Sequence, residues 1–78
     1  PNPATDHLTF NITTAKTGTA AILIYDMLGR LLYNNELLLD DGYQQIDVPI
    51  NNLPEGSYRL LLKSSEKNWL STFIKARQ

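Results

Sequence analysis

A chain of 78 residues has room for one domain and sits near the lower size at which an apolar core holds a fold unaided. With no cysteine, a disulfide framework and a thiolate metal site are both excluded, so packed aliphatic and aromatic side chains must carry stability. The formal net charge is −1, no apolar run approaches the roughly 20 residues of a membrane-spanning helix, and no charged segment followed by an apolar one opens the chain as an export signal would.

Pro1, Asn2 and Pro3 suit neither a helix interior nor a central strand, because each proline fixes φ and removes a donor; they read as an entry segment. Residues 8–12 alternate apolar and polar, which places Leu8, Phe10 and Ile12 on one face of a first strand. The threonine-rich stretch 13–19 reads as a turn. Residues 20–25 form a second strand with Ile22 and Ile24 facing the core.

Asp26 and Gly29 then bracket a four-residue reversal in which Gly29 takes positive φ. With the arm that follows, residues 22–32 make a central hairpin whose two arms bury one face of the same sheet. Residues 30–33 are the third strand, Asn34 and Asn35 a bulge or bend, and residues 36–39 a further arm whose three leucines have no phase readable from pattern. Asp40, Asp41 and Gly42 are a strong reverse turn, which rules against a helix over so short a run.

Residues 43–48 alternate again, with Ile46 and Val48 on one face and Gln45 and Asp47 on the other, and Pro49 closes the strand. Leu53, Pro54, Glu55 and Gly56 lead by turn chemistry into a strand patterned by Tyr58, Leu60 and Leu62. Residues 64–68 form the last loop and residues 69–76 the last strand, with Trp69 and Phe73 on one face, Leu70 and Ile74 on the other, and partial burial expected on both. Six to seven short strands at this spacing predict an all-β, immunoglobulin-like antiparallel β-sandwich comprising residues 1–78 as a single domain.

Chemistry is sparse. The single histidine, His7, stands at a strand entry, no serine has a nucleophile-elbow context, and the four glycines stand singly in turns with no phosphate-binding loop. Asp40 and Asp41 lack the alternating oxygen ligands of a calcium loop. The Asn11-Ile12-Thr13 glycosylation pattern falls in a strand. No enzyme activity, cofactor or metal is expected.

Charge is unevenly spread. Up to Tyr58 the basic residues are Lys16 and Arg30 against Asp6, Asp26, Glu36, Asp40, Asp41, Asp47 and Glu55; beyond it Arg59, Lys63, Lys67, Lys75 and Arg77 meet one acid, Glu66. Such an end can discourage sheet-to-sheet aggregation or dock an acidic partner. It is too small for nucleic acid, and its neighbouring aromatics belong to a core strand.

Four motifs acquire meaning together: Pro1-Asn2-Pro3-Ala4, the run 24–30 containing Tyr25, Asp26 and Gly29, the run 53–58 containing Gly56 and Tyr58, and Phe73-Ile74-Lys75. In this order and spacing the chain resembles, over nearly its whole length, the C-terminal sorting domain of proteins exported by the type IX (Por) secretion system, type A. The resemblance implies an immunoglobulin-like domain fused behind a cargo protein that crosses the inner membrane by its own signal peptide. The domain then directs the cargo from the periplasm through the outer-membrane translocon, with its shuttle components, to the cell surface or medium. It also implies removal by a sortase-like peptidase. By resemblance, Pro1, Asn2 and Pro3 match the entry motif, Tyr25, Asp26 and Gly29 the hairpin turn, Gly56 and Tyr58 the strand entry, and Lys75 the basic end.

On this reading the binding residues are Lys63, Lys67, Trp69, Phe73, Lys75 and Arg77, acting through the last strand by edge pairing or through the basic cluster, and a free edge also permits self-association. The competing reading is an accessory carbohydrate-binding or adhesion β-sandwich. It calls for coplanar exposed aromatics, whereas Tyr33, Tyr43, Tyr58, Trp69 and Phe73 are dispersed over four strands.

Overall fold

The computed structural model describes residues 6–65 and 67–76. The entry motif at residues 1–3 and the expected contact Arg77 lie outside them. Six strands follow in order: β1 (His7–Thr14), β2 (Gly18–Asp26), β3 (Leu31–Leu39), β4 (Gly42–Pro49), β5 (Gly56–Ser64) and β6 (Asn68–Lys75). All pairings are antiparallel, giving a two-stranded sheet β1-β4 and a four-stranded sheet β3-β2-β5-β6. The molecule is an all-β sandwich.

Period-two alternation builds the core. Leu8 and Ile12 of β1 and Ile46 and Val48 of β4 point inward from one sheet; Ile22 and Ile24 of β2, Leu60 and Leu62 of β5 and Phe73 of β6 point inward from the other. Ile24 and Leu62 are fully excluded from solvent. Each such side chain contributes about 1.5–3 kcal/mol by leaving water. The hydroxyl of Thr14, itself buried, donates to the Asp40 carbonyl and so ties the end of β1 to the turn before β4.

Four expectations change. The residues 13–19 are not all turn, because β1 runs to Thr14 and β2 begins at Gly18. Asn34 and Asn35 form no bulge or bend: they pair in regular register with Leu23 and Ile22, on a sheet edge where polar side chains reach water. The irregularity lies nearer the turn, where Ile24 pairs with Tyr33 and Tyr25 with Leu31, leaving Leu32 as the extra residue.

The hairpin's second arm is also less buried than its apolar sequence suggests. Leu31 is exposed because it pairs with Tyr25 on the face turned away from the second sheet, and Leu32 is exposed as the extra residue; on the inward face of this edge strand Tyr33 and Leu37 are half-buried and Leu39 is buried. Likewise β6 is buried on one face only. Leu70 is 71% exposed and Ile74 48%, because they point away from the second sheet.

Candidate functional site

The last strand is positioned from both ends. At its start, the Ser64 hydroxyl donates to the Lys67 carbonyl (2.7 Å) and accepts from the Lys67 N–H (3.1 Å), while the Ser64 N–H also donates to that carbonyl (3.1 Å). This closed turn sets the register of β6 on β5. Lys67 then leans over the Trp69 ring, its Nζ 5.1 Å from the centroid.

Along the inward face, Trp69 stands beside Leu62 and Phe73 beside Tyr58. The Tyr58 and Phe73 rings stack with centroids 5.4 Å apart and planes 25° apart. Tyr58 donates from its hydroxyl to the Pro54 carbonyl, four residues back, anchoring the corner from which β5 begins. Burial pushes the Tyr58 phenol above its ordinary pKa, with the nearby Asp26 carboxylate adding to the shift.

Lys75 shares that face and is buried. Its Nζ donates to the carbonyls of Ile50 (3.1 Å) and Leu53 (2.9 Å), the former also accepting from the Leu53 N–H (3.0 Å). The ammonium therefore staples the end of β6 to the turn at residues 50–53. The expected basic cluster is thus not one patch: Lys63 is exposed on β5, Lys67 covers Trp69, Lys75 is turned inside, and Arg77 falls outside the described residues. Alternation from Phe73 already places residue 75 inward; the usual exposure of lysine masks that signal.

The turn at the far end of β2 is held by one carboxylate. Asp26 Oδ1 accepts from the Leu28 and Arg30 N–H groups (2.9 Å each), Oδ2 accepts from Arg30 Nε (2.6 Å), and the Gly29 N–H donates to the Asp26 carbonyl (3.0 Å). Gly29 has φ of 87°, as the reversal requires. The Arg30 backbone N–H is the largest influence holding the Asp26 carboxyl below its ordinary pKa; desolvation opposes it, and the Arg30 side chain and the Leu28 N–H add to the lowering.

Between β1 and β6, where the sandwich opens, runs an apolar groove of about 380 Å³ whose walls include Phe10, Ile12, Leu60, Trp69 and Phe73. It presents no ionisable side chain. The one histidine lies elsewhere: His7 Nδ1 is 3.4 Å from Asp47 Oδ1, which also accepts from the Thr9 hydroxyl at 3.2 Å, and both members of the pair are largely solvent-exposed. No three His, Cys, Asp or Glu side chains converge among the described residues. This arrangement can present surfaces and edges to a macromolecule.

These features define the class: a small antiparallel β-sandwich whose turns and last strand are fastened by polar staples. The family model for the secretion system C-terminal sorting domain matches residues 1–76, and the chain belongs to that family, the sorting domains of type IX secretion. Neither a curated protein nor a solved structure matches the chain. The family is a non-enzymatic targeting tail that engages the type IX machinery and takes its protein to the cell surface or the medium.

Proposed function

We propose that the chain is the self-folding recognition tag of a larger exported protein, read in the periplasm by the outer-membrane translocon and its shuttle components and then removed by a sortase-like peptidase. The family match from residue 1 to residue 76 is the observation that carries this reading. Residues 1–78 act as a single unit, and β6 is its contact element. Among the described strands β6 stands at the edge of its sheet with β5 as its neighbour, which suits strand addition by a partner. Lys63 on β5, Lys67 in the preceding turn and Trp69 at the start of β6 border the approach, while Phe73 and Lys75 serve from inside by holding the strand in place.

A reporter fused in front of Pro1 tests the reading. It should reach the cell surface in cells with an intact type IX system and stay periplasmic in cells without one. Equal surface display in both strains would sink the assignment. If the surface reporter retains the domain, removal by a peptidase is wrong while sorting stands. Truncating residues 73–78 is a blunter test, since it deletes Phe73 and Lys75 and unfolds the end it means to probe.

A further inference from the structure

On the side of the four-stranded sheet that faces away from β1 and β4, apolar side chains line up across the strands. Leu23 of β2 pairs with Leu61 of β5, and Leu61 pairs with Leu70 of β6, so three leucines stand side by side. One step along the same face, Tyr25 pairs with Arg59 and Arg59 with Thr72; one step further Ile74 closes the patch. Leu23, Tyr25 and Leu61 are half-buried by their neighbours, whereas Leu70 and Ile74 are exposed.

Arg59 is exposed in the middle of this surface, and no ion pair among the described residues involves it. Lys63, four residues on along β5, is exposed on the same face, whose described acid is Glu36, opposite Ala21. A central arginine among leucine and tyrosine is the composition of a protein interface core. A membrane-seeking surface instead sets its cations around the rim of an apolar wedge. Two copies face to face would bring together two surfaces of the same positive sign, which disfavours self-pairing.

We infer that this outer face is the surface by which the sorting domain is read, and that its partner is a protein presenting aliphatic side chains around a carboxylate that pairs with Arg59. The inference rests on the sorting reading and deepens it: the readable side of β6 carries Leu70, Thr72 and Ile74, while Trp69, Phe73 and Lys75 form its structural side.

The test uses the full cargo-reporter fusion in cells with an intact type IX system. Arg59→Glu should lower surface display at least about tenfold, because it sets like charges against each other in the interface. Arg59→Lys should keep part of the display, Leu70→Ser should lower it several-fold, and Gln45→Lys on the other sheet should leave it unchanged. Protease resistance of each accumulated fusion should match the parent, separating lost recognition from lost folding. Parental display by the folded Arg59→Glu, Leu70→Ser double variant overturns the inference and leaves sorting intact. Arg59-dependent sedimentation with phosphatidylglycerol–phosphatidylethanolamine vesicles, or an Arg59-dependent dimer in ultracentrifugation, overturns the protein partner in favour of lipid or self. A parent fusion that never leaves the periplasm removes the sorting reading and this inference with it.

Discussion

The inner and outer faces of the four-stranded sheet are built from the same kinds of residue and behave differently. Leu61 and Leu62 are chain neighbours, yet Leu62 has no solvent exposure and packs under the second sheet while Leu61 lies half-buried between Leu23 and Leu70 on the open side. Apolar character alone therefore does not say what a strand residue is for. What decides is whether another layer covers it, and here the second sheet, two strands wide, covers one face only.

The sharpest way to test that division is to shorten the leucine inside. Leu62→Ala removes a fully buried side chain from a small core and should cost about 3 kcal/mol, enough to lower the melting temperature of the chain by well over ten degrees. A loss of only a degree or two would mean that the inner face is not the stabilising one.

Next in size is the staple at the end of the last strand. Lys75→Met keeps the aliphatic stem but withdraws the ammonium from the Ile50 and Leu53 carbonyls, and should cost about 2 kcal/mol in chemical denaturation. If this lysine were instead a surface charge, the same substitution would leave the midpoint in place. Gly29→Val follows. Nothing lies within 4 Å of where its Cβ would go, so the cost is that of holding a β-branched residue at φ of 87°, about 1–2 kcal/mol. A variant as stable as the parent would show that the turn does not need that conformation.

Much of this division was legible in the sequence. Alternation located β1, β4 and β5 and put Leu8, Ile12, Ile46, Val48, Tyr58, Leu60 and Leu62 inside, because in a strand the period alone fixes the face. The Asp26 turn was readable from its residue types. The leucines at 37–39 were not readable: three alike in a row carry no phase, and their register depends on the extra residue at Leu32, which turns Leu38 out at 77% exposure and Leu39 in. For the candidate site, sequence pattern already divides the last strand into a Trp69 and Phe73 face and a Leu70 and Ile74 face, and the structure keeps that division. Lys75, which its charge groups with the exposed cations, points inward with Phe73, and the outward set of Leu23, Arg59, Leu61 and Leu70 emerges only when cross-strand pairing brings three strands together.

A smaller effect is expected from acid. The Asp26 carboxyl has its pKa lowered in the folded chain, chiefly by the Arg30 backbone N–H, so its stabilising contribution is present above the ordinary aspartate range and is lost as pH falls through the lowered value. The pair is open to solvent on the arginine side, which keeps the contribution modest. Parent and Asp26→Asn should accordingly differ in melting temperature near neutral pH and converge as the pH is taken down through the lowered Asp26 value. A gap that stays constant across that range would show that the charge on Asp26 does not act on stability.

The smallest expected change in stability is at Leu70, and it is the one on which the recognition surface depends. Its side chain is 71% exposed, so replacing it by serine removes little buried area and leaves the backbone pairing of Leu70 with Leu61 untouched. Leu70→Ser should therefore shift the denaturation midpoint by less than about 0.5 kcal/mol, roughly a sixth of the Leu62→Ala effect. A loss comparable to that at Leu62 would mean that the outer leucine row is a second core, held by its own neighbours, and lost export in the Leu70 variant would then report unfolding. A neutral result keeps the two faces distinct: one can be disturbed only by weakening the fold, the other only by weakening what binds it.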